Sequence, residues 1–146
     1  MLSELRVDEL LAAIGERTPA PASGAAVALT GALASALAEL ASRYAGDEVA
    51  AARARELARE LVQLGEEDAR AYAAFMADRS DAARAEIIRV PEAIASVADE
   101  VVAIALRAGD RLSSAVCGDA EAAAELARAC ARVARGLARL NAAGGQ

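Results

Sequence analysis

Alanine makes up nearly a third of this chain, and no other feature limits its fold as tightly. Alanine is the best helix former, while the large strand-favouring side chains are few: one Phe, two Tyr and no Trp among 146 residues. The composition predicts an all-α fold. More than half of the residues are apolar, enough to bury a continuous core without disulfides or metals, so residues 1–146 read as a single domain. A core rich in alanine lets helix axes approach closely but buries less apolar area per residue than a Leu/Phe core. Part of the stability is therefore expected from self-association.

The net charge is −6, histidine and lysine are absent, and all sixteen basic residues are arginine. An acidic chain with no basic block and no interleaved aromatics predicts no nucleic-acid partner. With Cys117 and Cys130 as the only thiols, no metal site is expected. Any general acid or base must then be Asp, Glu, Tyr or Cys. Two cysteines without a signal-peptide pattern predict a cytoplasmic, reducing setting with both thiols free. The most apolar run, Ala25 to Ala41, is 17 residues long and mostly alanine, short of a membrane span. The expectation is a helix buried on all sides by its neighbours, with no membrane partner.

Hydrophobic spacing predicts an antiparallel bundle of about five helices around a central Ala-rich helix. Val7, Leu10, Leu11 and Ile14 mark a short first helix, which Thr18, Pro19, Ala20 and Pro21 end. Ser23 is the expected N-cap of the second helix, Gly24 to Tyr44, with Leu29, Leu33, Leu37 and Leu40 as its core stripe. Gly46 and Asp47 turn the chain into a third helix carrying Leu57, Leu61 and Leu64. Continuing that stripe lands on Asp68, then Ala71, Tyr72 and Phe75. The fourth helix, Asp81 to Arg107, has a coiled-coil-like seam of Ile87, Val90, Ile94, Val97, Val101 and Ile104. Pro91 inside it predicts a kink or break. Asp119 is the expected cap of the last helix, whose core stripe is Leu126, Cys130, Val133, Leu137 and Leu140, and whose tail, Ala142 to Gln146, should fray. Arg128, Arg132, Arg135 and Arg139 form a solvated face that pairs with Glu121 and Glu125.

Three places carry groups capable of chemistry, each beside an ordinary structural explanation. The loop from Thr18 to Gly24 delivers the chain into a helix N-terminus, where free N–H groups favour an anion; it is also simply a rigid connector. Asp68 is either a buried carboxylate with a raised pKa, suited to proton transfer, or a stripe-edge residue paired with an arginine. Asp119 is either a functional carboxylate or a helix cap.

Thr18-Pro19-Ala20-Pro21, the small-residue loop ending in Gly24, Ala28-Leu29 and Gly31-Ala32-Leu33 resemble a known pattern. It is the Thr-Pro-x-Pro-Gly-Gly-Gly loop and following helix of the formiminotransferase cyclodeaminase and methenyltetrahydrofolate cyclohydrolase family. Asp68-Ala69 with Ala71-Tyr72 is similar to that family's Asp-Ala-x-Ala-Phe/Tyr segment, and Val90-Pro91 to its Val-Pro. Asp119-Ala120 resembles its Ser-Asp-Ala-Gly helix start, and Asn141 stands near the place of a family Asn. The chain differs at Ala22 and Ser23, where the family has glycines, at Glu121, and in lacking a basic Pro-Lys element before Val90, a role left to Arg79, Arg84 or Arg89.

The resemblance implies an all-helical homodimer that binds a reduced folate. It would hydrolyse 5,10-methenyltetrahydrofolate to 10-formyltetrahydrofolate or cyclodeaminate 5-formiminotetrahydrofolate, with no cofactor beyond the folate substrate. It implies acid/base and electrostatic roles for Asp68 and Asp119, and ligand contact by Thr18, Pro19, Pro21, Ser23, Gly24 and Tyr72. The alternative is a non-catalytic dimeric homologue that binds a small molecule or a protein partner.

Overall fold

A computed structural model of the chain describes residues 1–144. Among them 83% are helical and none is in a strand, as an alanine-rich chain with few aromatics requires. A 3₁₀ turn, Leu2–Glu4, precedes α1 (Val7–Gly15), α2 (Ser23–Tyr44), α3 (Glu48–Asp78), α4 (Asp81–Gly109) and α5 (Gly118–Ala143). Ala142 and Ala143 are thus still helical, and the rest of the predicted frayed tail, beyond Gly144, lies outside the described residues.

The connections follow from local chemistry. Gly46 adopts φ 73°, a left-handed conformation that costs a glycine nothing, and Asp47 N–H then bonds back to Ser42 O at 2.9 Å. Asp47 Oδ1 accepts from Ala50 N–H at 3.0 Å and caps α3, so three residues reverse the chain. Ser80 Oγ caps α4 by accepting from Ala83 N–H at 3.2 Å. The two expected caps, Ser23 and Asp119, are not caps. Ala22 occupies the N-cap position of α2, and Ser23 is its first helical residue with no capping bond. Cys117 occupies that position in α5, and Asp119 lies inside the first turn. Cys117 and Cys130 are both free thiols.

α2 is central, packing against α3, α4 and α5, while α1 stands apart with none of its residues buried. The α4 seam is buried from Ile87 to Ile104 as its spacing predicts. Pro91 does not break the helix, which runs through it to Gly109. The leucines of α2 and α5 do not behave as expected. The buried face of α2 is Gly24, Ala25, Ala28, Gly31, Ala34 and Ala38, and Leu33 is 67% exposed. α5 likewise turns Ala123, Ala124, Ala127, Ala131 and Ala134 inward, while Leu126 and Val133 are exposed and Leu140 is 70% exposed.

The reason is interhelical distance. A Cβ on Gly31 would lie 2.8 Å from Cys130 Sγ, and one on Gly65 would lie 3.2 Å from Ala28 Cβ, so α2 sits too close to α5 and α3 to admit leucine. Large apolar side chains reach the core from α3 and α4 instead, as Leu57, Leu61, Ile94 and Ile104. Buried Ser35 is satisfied by donating to Ala54 O at 2.7 Å. α2 is therefore not buried on all sides. With 22 residues it is long and apolar enough to cross a membrane, but half of its most apolar window lies inside the bundle. Arg128 pairs with Glu125 as predicted, whereas Arg135 reaches across to Asp99 on α4.

Candidate functional site

One end of the bundle opens into a pocket of about 370 Å³. The loop entering α2 supplies Thr18, Pro19, Ala20, Ala22, Ser23 and Gly24, α3 supplies Asp68 and Tyr72, and α5 supplies Leu137, Leu140 and Asn141. Two prolines make this loop leave the first helix and enter α2 at its N-terminus. Thr18 Oγ1 donates to Ala20 O at 3.4 Å, and the Ala20–Pro21 peptide is cis. The first bond of α2 runs from Ala26 N–H to Ala22 O, so the N–H groups of Ser23, Gly24 and Ala25 have no helical acceptor.

Asp68 continues the Leu57–Leu61–Leu64 stripe to the end of the core, and its carboxyl lies directly over Gly24. A Cβ at Gly24 would meet Asp68 Oδ2 at 2.1 Å and Oδ1 at 2.3 Å. The glycine is what leaves room for the carboxyl. Of the loop positions where the family pattern has glycines, this chain keeps the one against Asp68, while Ser23 is exposed and Ala22 lines the wall. Asp68 is half-buried, and no arginine pairs with it among the described residues. Burial raises its pKa to about 6, and the positive end of the α2 dipole acts in the opposite direction. Tyr72, one turn later on α3, is half-buried in the same wall.

Six of the eight predicted site residues thus meet here: Thr18, Pro19, Ser23, Gly24, Asp68 and Tyr72. Pro21 faces a shallow groove with Leu2, Leu5 and Ala69 instead. Asp119 is at the far end of α5, 22 residues before Asn141, or about 33 Å along the helix axis. Within one chain it does not reach this pocket. Asn141 was marked by the sequence only through a family resemblance, and Leu137 and Leu140 only as expected core residues. Arg79 and Arg84 flank the Phe75 ring at 5.5 and 5.1 Å, and Arg89 pairs with Glu86 and Glu67. None of the three lines the pocket, where Asp68 is the one carboxyl among the described residues. No group of three or more metal-ligating side chains occurs among the described residues.

A family model described as formiminotransferase-cyclodeaminase matches residues 6–144. The chain belongs to the formiminotransferase-cyclodeaminase family. No curated protein matches it. The match covers nearly the whole chain, including the loop, Asp68, Pro91, Asp119 and Asn141, and makes this a member of a folate-related one-carbon family.

Proposed function

We propose that this family member is a folate-dependent one-carbon enzyme, hydrolysing 5,10-methenyltetrahydrofolate or cyclodeaminating 5-formiminotetrahydrofolate at the Asp68 pocket. The observation that carries the reading is an unpaired, half-buried carboxyl held over Gly24 in a pocket lined by no cationic side chain. Both substrates present a carbon between two nitrogens that carries positive charge, and an ionised Asp68 stabilises that charge. For hydrolysis, Asp68 takes a proton from the attacking water as the C–O bond forms. It then returns that proton to N5 as the C–N5 bond breaks, while the remaining hydroxyl proton is released to water as the C=O forms, leaving the formyl group on N10. For cyclodeamination, N10 attacks the formimino carbon and the proton goes to departing ammonia. A carboxyl with pKa about 6 can do either task near neutral pH.

The test is the near-ultraviolet absorbance of 5,10-methenyltetrahydrofolate mixed with the purified protein. Its loss should be faster than in buffer, and Asp68→Asn should abolish the acceleration. No acceleration at high protein concentration overturns hydrolysis, and no ammonia from 5-formiminotetrahydrofolate overturns cyclodeamination.

The same reading makes the protein a cytoplasmic homodimer with no nucleic-acid or membrane partner and no metal. Support for the dimer comes from the outer face of α5, where Asp119, Leu126, Val133 and Leu140 recur every seven residues and so align. Leu33 and Leu40 on α2 are exposed apolar side chains as well. Two copies paired antiparallel across it are related by a two-fold axis near the middle of α5. Asp119 of the partner subunit then lies opposite Leu140, at the mouth of the pocket, where it adds a second carboxylate for the substrate cation.

A further inference from the structure

Pro91 and Asn141 sit on different helices, and neither has an evident reason to be where it is when taken alone. Pro91 lies in the interior of α4, fully buried, in a helix that continues through it. A proline has no N–H, so the carbonyl four residues earlier loses its helical donor. That carbonyl is Ile87 O, and it is taken by the side chain of Asn141, whose Nδ2 donates to it at 2.6 Å. Arg84 Nη1 holds the same residue from the backbone side, donating to Asn141 O at 3.4 Å.

We infer that Pro91 and Asn141 work as one unit that sets the hydrogen-bonding polarity of the pocket. An amide has one donor end and one acceptor end, and an acceptor such as Ile87 O can only be met by the donor end. Asn141 Oδ1 is thereby turned away from α4. Among the described residues it has no donor, and it is not a buried unsatisfied atom. Asn141 lines the pocket beside Asp68 and Tyr72, so this oxygen is the acceptor for an N–H group of the ligand. With Asp68 ionised, the wall presents two acceptors, which suits a nitrogen heterocycle that displays N–H donors. Asn141 is a binding residue in this scheme. Pro91 touches no ligand and is a positioning residue that acts through it. The assignment of the ligand rests on the folate reading of the pocket, whereas the coupling of Pro91 to Asn141 does not.

Asn141 is the chain's one asparagine, so ¹⁵N-asparagine labelling reports a single side-chain amide. In the wild-type protein one of its protons should exchange slowly with solvent. In Pro91→Ala, which restores a backbone donor to Ile87 O, that protection should be lost. Binding of the stable reduced folate 5-formyltetrahydrofolate should weaken about 10-fold in Pro91→Ala and in Asn141→Ala, the loss of one hydrogen bond. The double variant should bind no worse than Asn141→Ala alone. In turnover, both single variants should raise KM with little change in kcat. A Pro91→Ala protein that keeps the protected amide overturns the coupling, and additive losses in the double variant overturn the shared role. If the wild type binds no reduced folate, the folate reading fails, and the amide signal still decides whether Pro91 orients Asn141.

Discussion

Asp68 and Gly24 are understood only as a pair. The carboxyl occupies the space a Cβ would take, so Gly24→Ala must drive it out of its position, the short Asp side chain yielding more readily than the backbone of α2. The variant should keep its helical circular dichroism and lose most of its turnover of 5,10-methenyltetrahydrofolate; full activity would show that the carboxyl need not lie there. The raised pKa makes a second prediction. An unfolded Asp titrates near ~3.9, so with a folded value of about 6 the native state binds more protons between those two pH values. Stability from this group therefore falls as pH rises from 4 to 6 and stays lower above 6. Asp68→Asn should stabilise the protein at pH 8 by about 1–2 kcal/mol, once screening of the exposed part is allowed for, and leave its stability unchanged at pH 4. An equal Tm for the two proteins at pH 8 would mean the carboxyl is well solvated. Activity that needs the ionised form should fall on the acid side with an apparent pKa of about 6.

At the level of helices, α4 and α2 make an instructive contrast. The strict three-four spacing of Ile and Val in α4 gave the buried seam directly, because large β-branched residues at that period have only one face to bury. In α2 the leucine stripe is only partly inward, Leu37 packing against the core while Leu33 and Leu40 are exposed, since the short distance to α5 and α3 selects alanine and glycine for the buried face. Substitutions in α2 should separate the two faces. Gly31→Val places two methyl groups against Cys130 and Leu61 and should cost about 1–3 kcal/mol by urea unfolding. Leu33→Ala, two residues on and mostly exposed, should change the stability of the isolated chain by less than about 0.5 kcal/mol. If it does lower stability strongly, and does so more at high protein concentration, Leu33 is covered by a second copy.

For the whole molecule, the question is which chain's Asp119 faces which pocket. Asp68→Asn and Asp119→Asn proteins, each inactive alone, can be unfolded together and refolded. If Asp119 acts across a dimer, random pairing restores about a quarter of wild-type activity, because half the dimers carry one intact site of two. If no activity returns while light scattering shows mixed dimers, Asp119 does not complete the partner's pocket. The positions of the helices, the turn at Gly46 and Asp47, and a carboxylate at the end of the α3 stripe were all determined by the sequence alone. They depend on period, φ preference and capping, which act over a few residues. Only the tertiary structure decided that alanines rather than leucines face inward on α2 and α5, that Asp119 lies far from Asp68 within one chain, and that Asn141 joins Asp68. Each of these depends on the distance between helix axes and on which ends of them meet, quantities set jointly by several helices and written in no single stretch of the chain.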